Sequence, residues 1–115
     1  LTHPLLISDH FRLPGRGKSA SWGRLIGASR SLAVAELAAH LDANEHRPLL
    51  LIAQDPRHAD QMEAEIRFFL GDEISVQHFV EWETLPWDSF SPHQDIISQR
   101  LNVLAALPDM HSGVI

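Results

Sequence analysis

Apolar residues first crowd the chain at Leu32, Ala33, Val34, Ala35, Leu37, Ala38 and Leu41. That density leaves few polar faces and predicts a well-buried helix over residues 30–42, with Ser29 as its N-cap. After Arg47-Pro48 the pattern changes to a short unbroken apolar run, Leu49-Leu50-Leu51-Ile52-Ala53. Such a run predicts a strand buried on both faces. Asp55-Pro56 is an N-cap followed by proline at the first helical position. The second predicted helix runs from there to Leu70 and stops at Gly71, with an apolar stripe of Ala59, Met62, Ile66 and Phe69. Glu63 and Arg67 form a favourable i,i+4 pair on its surface.

Ile74 to Phe79 alternates apolar and polar residues and predicts a second strand. Residues 80–90 form an aromatic-rich loop. Ser91, Pro92 and Gln94 then supply a cap, a first-turn proline and a capping-box partner for a third helix. That helix is expected to bury Ile97, Leu101, Leu104, Ile96 and Leu107 before Pro108 ends it. Trp22 to Ile26 and Gly113 to Ile115 read as two further short strands, the last one cut off. Strands alternating with helices predict an α/β domain. The expected architecture is a truncated three-layer parallel sheet of the P-loop NTPase (helicase) type, with helices on both faces. An open edge beside Gly113–Ile115 would favour strand pairing between copies.

Residues 1–21 carry prolines, glycines and polar residues and form an extended or loosely held lead-in; residues 22–115 form the domain. Hydrophobic residues make up 44% of the chain and charged ones 21%, which suits one small globular domain. No run reaches the roughly 20 apolar residues of a membrane span, so no membrane partner is expected. There is no cysteine, which removes disulfides and thiolate chemistry and fits a cytoplasmic protein. The net charge of −6 argues against a domain that holds DNA by itself. The basic residues that exist cluster early, at Arg12, Arg16, Lys18, Arg24 and Arg30. An autonomous nucleic-acid-binding domain built on them is an alternative, to be set against a solvated segment.

Gly15-Arg16-Gly17-Lys18-Ser19 resembles the end of a phosphate-binding loop, and an active nucleotide-binding domain using Lys18 is the other alternative. The motif requires a first glycine where this chain has Arg12, and a helix where it has Ala20-Ser21-Trp22-Gly23. The better topological position for such a loop is Gly27-Ala28-Ser29-Arg30-Ser31, between a predicted strand and the first helix. There Leu32, Ala33 and Val34 occupy the places of the glycine, the lysine and the hydroxyl that would hold phosphate and magnesium. The site is therefore read as a degenerate phosphate loop, with no nucleotide or metal cofactor and no catalytic residue.

Residues 82–98, Trp-Glu-Thr-Leu-Pro-Trp-Asp-Ser-Phe-Ser-Pro-His-Gln-Asp-Ile-Ile-Ser, closely resemble a signature near the N-terminus of the Mfd family, the bacterial transcription-repair coupling factors. The family usually has tyrosine at the place of Trp87. The likeness extends upstream through Leu32–Glu36 and Leu49–Ala53, and downstream through Arg100, Leu101 and Gly113–Ile115. The resemblance implies that residues 22–115 are a UvrB-like first domain that has lost its phosphate loop. UvrB threads DNA behind a long hairpin; the eleven residues from Val80 to Phe90 leave no room for one. The resemblance further implies a non-catalytic module of a DNA translocase in nucleotide excision repair. Its partners would be the other domains of the parent protein and UvrA, the latter mainly through the next domain. RNA polymerase and DNA would engage only downstream domains, where ATP and magnesium serve the motor.

The signature residues Trp82, Trp87, Asp88, Phe90, His93, Gln94, Asp95 and Arg100 are candidates for docking or for structure. Large aromatics anchor interfaces, but they also cover sheet ends and fix loops. Glu81, Glu83, Asp88 and Asp95 read as a solvated acidic rim. The eight histidines, His3, His10, His40, His46, His58, His78, His93 and His111, show no metal-ligand spacing, and no metal site is expected.

Overall fold

The structure, a computed structural model, describes residues 13–115. Arg12, His3, His10 and the first part of the expected lead-in lie outside the described residues.

The element order is helix α1 (Ser29–Asn44), helix α2 (Pro56–Leu70) and helix α3 (Gln94–Ala106), which continues into a 3₁₀ turn at Leu107–Asp109. α2 follows its sequence signals. The Asp55 carboxylate accepts the His58 N–H at 2.8 Å, Pro56 is the first helical residue, and Gly71 closes the helix at φ 61°. α1 begins one residue earlier than expected. Ser29 lies inside it and donates its hydroxyl to the Ile26 carbonyl at 2.7 Å, while Ala28 takes the N-cap place without a side-chain bond. α3 begins later than Ser91 would dictate. His93 occupies the N-cap, and its Nδ1 accepts the Asp95 N–H. Gln94 becomes the first helical residue, so the expected capping box is not built.

The parallel sheet is not observed. Among the described residues there is no β-strand, only two isolated parallel bridges, Leu49 to Val114 and Val76 to Val114. This overturns the expected three-layer α/β architecture. The physical reason is visible in the hydrogen bonds. Residues 49–51 and 113–115 share Leu49 N–H to Gly113 O, Ile115 N–H to Leu49 O and Leu51 N–H to Ile115 O, at 2.8–2.9 Å. Residues 75–77 share only Val114 N–H to Ser75 O and Gln77 N–H to Val114 O. Each pairing is one bridge long, too short to propagate a ladder. Residues 22–26 form neither strand nor bridge: Arg24 has φ 64° and Ile26 is 85% exposed. Val114 stands between two neighbours, so the expected open edge beside Gly113–Ile115 is already occupied on both sides.

The core lies where α1 and α2 pack together and cover one side of these extended segments. Ala35 and Ala38 of α1 meet Met62, Ile66 and Leu70 of α2, together with Ile74, Val76 and Val114. Burying a side chain the size of valine or isoleucine contributes about 1.5–3 kcal/mol. Residues 49–53 are not buried on both faces. Leu49 and Leu51 lean on the core, whereas Leu50 and Ile52 point away from it and are exposed, as the period-two geometry of extended chain requires. α3 differs in the same sense: Val103 is buried, while Leu101, Leu104 and Leu107 are exposed. No helix among the described residues is long and apolar enough to cross a membrane.

Among the described residues, one buried side-chain polar atom has no hydrogen-bond partner. Glu36 Oε1 is buried without a hydrogen bond, and burial raises the Glu36 carboxyl above its ordinary value of 4.5. A raised acid holds its proton more tightly in the folded chain. Its favourable contribution is therefore present in acid and lost as pH rises through the folded value. Glu36→Gln is expected to raise the denaturation midpoint at pH 7 and to leave it unchanged below pH ~4. Equal midpoints at pH 7 would contradict this account of Glu36.

Candidate functional site

The turn that opens α1 contains Gly27, at φ 58°, followed by Ala28, Ser29, Arg30 and Ser31. Arg30 turns back and donates from Nε to the Leu25 carbonyl at 3.4 Å. Ser31 is buried and donates its hydroxyl to Glu65 Oε2 of α2 at 2.6 Å. Both hydroxyls of the turn are thus spent on protein acceptors. No ammonium group stands in the next helical turn, where Leu32, Ala33 and Val34 follow. Lys18 lies elsewhere, in an exposed turn closed by its own N–H to the Gly15 carbonyl at 2.9 Å. Among the described residues no helix begins before Ser29, so Lys18 lacks the helix N-terminus that a phosphate loop uses.

The signature loop divides into a held part and a projecting part. Arg100 of α3 stacks its guanidinium on Phe79 at 4.0 Å and on Trp82 at 4.4 Å, and donates to the Val80 carbonyl. This fastens residues 79–82 to α3. Asp88 shapes a local turn by accepting the Leu85 N–H at 2.7 Å. Trp87 and Phe90 are 78% and 82% exposed, so neither serves as core. Glu81, Glu83, Asp88 and Asp95 are all exposed. Arg100→Ala should cost about 1 kcal/mol through lost cation–π contact and should change the tryptophan emission as Trp82 loses its cover. An unaltered emission spectrum would contradict the stacking.

A third group, which sequence spacing did not single out, lies between α2 and the segment after Ile74. His78 Nδ1 is 2.7 Å from Glu63 Oε2 and 3.7 Å from Asp60 Oδ1. Arg67 grips the other Glu63 oxygen from Nε at 2.9 Å and also donates to the Val76 carbonyl. Burial alone would push the Glu63 carboxyl up. Hydrogen bonds and charge from Arg67 and His78 outweigh it and hold the group below its ordinary value. The corner faces a cleft of ≈ 480 Å³ whose lining includes Leu50, Ile52, Asp55, Phe79 and Glu81. The Asp60–Glu63 spacing on one helix face was a usable signal. The missing step was the proximity of residue 78 to α2, which no local pattern states.

No family model matches the chain. Curated relatives do. The transcription-repair-coupling factor of Escherichia coli is 46% identical over 92 residues, covering 80% of this chain and 8% of the relative. That of Haemophilus influenzae is 30% identical over 92 residues, with the same coverage of each. That of Mycobacterium bovis is 38% identical over 60 residues, 52% of this chain and 5% of the relative. The chain therefore corresponds to one small segment of much longer proteins. It belongs to the transcription-repair-coupling factor family.

Proposed function

We propose that this chain is a non-catalytic module of a transcription-repair coupling factor, acting in transcription-coupled nucleotide excision repair in the cytoplasm. The observation that carries this reading is the 46% identity over 92 residues to the Escherichia coli protein. The module packs against other domains of its parent protein, supports recruitment of UvrA by the adjoining domain, and takes part in regulating the DNA translocase. ATP and magnesium serve that motor elsewhere in the protein, as do the contacts with RNA polymerase and DNA. The opening of α1 supports the non-catalytic part. Its hydroxyls are bonded to Ile26 and Glu65, and Ala33 stands where a phosphate-binding lysine would be needed.

Two experiments test the proposal. Calorimetry of the chain with ATP and magnesium is expected to give no binding heat; saturable binding at micromolar levels overturns the non-catalytic assignment. Capture of UvrA by this chain is expected to be much weaker than by a longer version that includes the next domain. Equal capture by both would move the contact onto this segment.

A further inference from the structure

We infer that Asp60, Glu63 and His78 form a binding site for one divalent transition-metal ion of the zinc class, opening on the cleft beside α2. The inference is independent of the repair assignment. The three ligand atoms lie within 4.8 Å of one another. Ligands at the usual zinc distance of about 2.0–2.2 Å stand roughly 3–3.5 Å apart around the ion. His78 Nδ1 is 2.7 Å from Glu63 Oε2, a hydrogen-bond distance that would open by about half an ångström around an ion, and Asp60 Oδ1 is 3.7 Å from the same nitrogen. A small rotation of the exposed Asp60 side chain completes the triad.

The supports of these ligands are ordered. Asp60 and Glu63 are three residues apart on α2, so they share one helix face. His78 follows Gln77, whose N–H is held by the Val114 carbonyl at 2.8 Å. Arg67 binds Glu63 Oε1 through Nε and Nη2, both at 2.9 Å, and leaves Oε2 turned to the imidazole. That is the outer-shell bond that orients a ligating carboxylate. The donor set of one imidazole nitrogen and two carboxylate oxygens suits zinc, cobalt or manganese. It excludes sites that depend on thiolate, and the chain has no cysteine. On binding, His78 would ligate through Nδ1, the nitrogen that faces Glu63 Oε2, and any proton there would be displaced to Nε2 or to solvent. The ion would pin α2 to the segment running from Ile74 to Phe79, with its remaining coordination positions open to the cleft.

The test is calorimetric titration of the full chain with zinc chloride, paired with the visible absorption of the cobalt(II) form. One ion per chain with a micromolar dissociation constant is expected. His78→Ala and Asp60→Asn should each weaken binding by at least about tenfold, and His111→Ala, which is not one of the three ligands, should leave it unchanged. Asp60 has a 73% exposed side chain, so Asp60→Asn tests the ligand role without disturbing packing, even where His78→Ala loosens the fold. Absence of saturable uptake overturns the site. So does uptake that survives Asp60→Asn undiminished, because the ion would then rest on other histidines.

Discussion

Gly113→Ala is expected to destabilise the protein by about 3 kcal/mol, from left-handed backbone strain and a backbone overlap together. Gly113 has φ 106°, a region that L side chains avoid. A Cβ there would stand 2.6 Å from the Ser75 carbonyl oxygen and 2.6 Å from Met110 Cε. The methionine end can move aside. The Ser75 oxygen cannot move freely, because it accepts the Val114 N–H at 2.9 Å. Relief of the overlap would pull apart the bond that joins the 75–77 segment to Val114. The Gly113 carbonyl also accepts the Leu49 N–H at 2.8 Å, so both bridges centred on Val114 are at risk. Urea denaturation monitored by circular dichroism measures the loss. A change within about 0.5 kcal/mol, the usual range for an inert surface site, would show that the bridges contribute little.

Ile66→Ala should cost about 3–4 kcal/mol, whereas Phe68→Ala should cost less than about 0.5 kcal/mol. The two positions lie two residues apart on α2 and face opposite ways. Ile66 is 1% exposed in the middle of the core cluster and Phe68 is 81% exposed. Removing three carbons at Ile66 leaves a cavity lined by two helices and the bridged segments, which cannot close over it. Phe68 meets the edge of the Phe69 ring at a centroid distance of 5.5 Å, and its loss opens no interior space. Paired denaturation curves decide the point. Equal costs for the two variants would mean that the outer face of α2 is covered in solution.

The sequence is most informative where signals are local. Asp55, Pro56 and Gly71 mark both ends of α2 because a cap, a first-turn proline and a left-handed glycine act within four residues. The Glu63–Arg67 pair forms for the same reason. Ser91-Pro92-His93-Gln94 misleads because three residues compete for one cap, and His93 takes it through its ring nitrogen. The expected strands fail to form for a different cause. Alternation at Ile74–Phe79 and the apolar run at Leu49–Ala53 specify extended chain with inward and outward sides, and that much is present. Whether extended chain becomes a strand depends on the length of ladder its neighbours offer, and here each neighbour offers one bridge. At Gly27–Ser31 the sequence shows which residue types follow the turn, and only packing shows that Ser29 and Ser31 bond to Ile26 and Glu65. The grouping of His78 with Asp60 and Glu63 joins residues 15 or more positions apart and follows only from packing.

Ser31, Ala35 and Ala38 give α1 a strip of small side chains toward α2, and hydrocarbon alone would accept α2 on that strip at several heights. The Ser31 hydroxyl breaks the tie. Its acceptor, Glu65 Oε2, is 2.6 Å away, and the other Glu65 oxygen is already engaged by Gln61 at 2.9 Å. Sliding one helix by a single turn, about 5.4 Å, would strand that hydroxyl against methyl groups. A side chain that adds almost nothing to the bulk of the seam thus acts as its index mark, leaving the two helices one registration in which to meet.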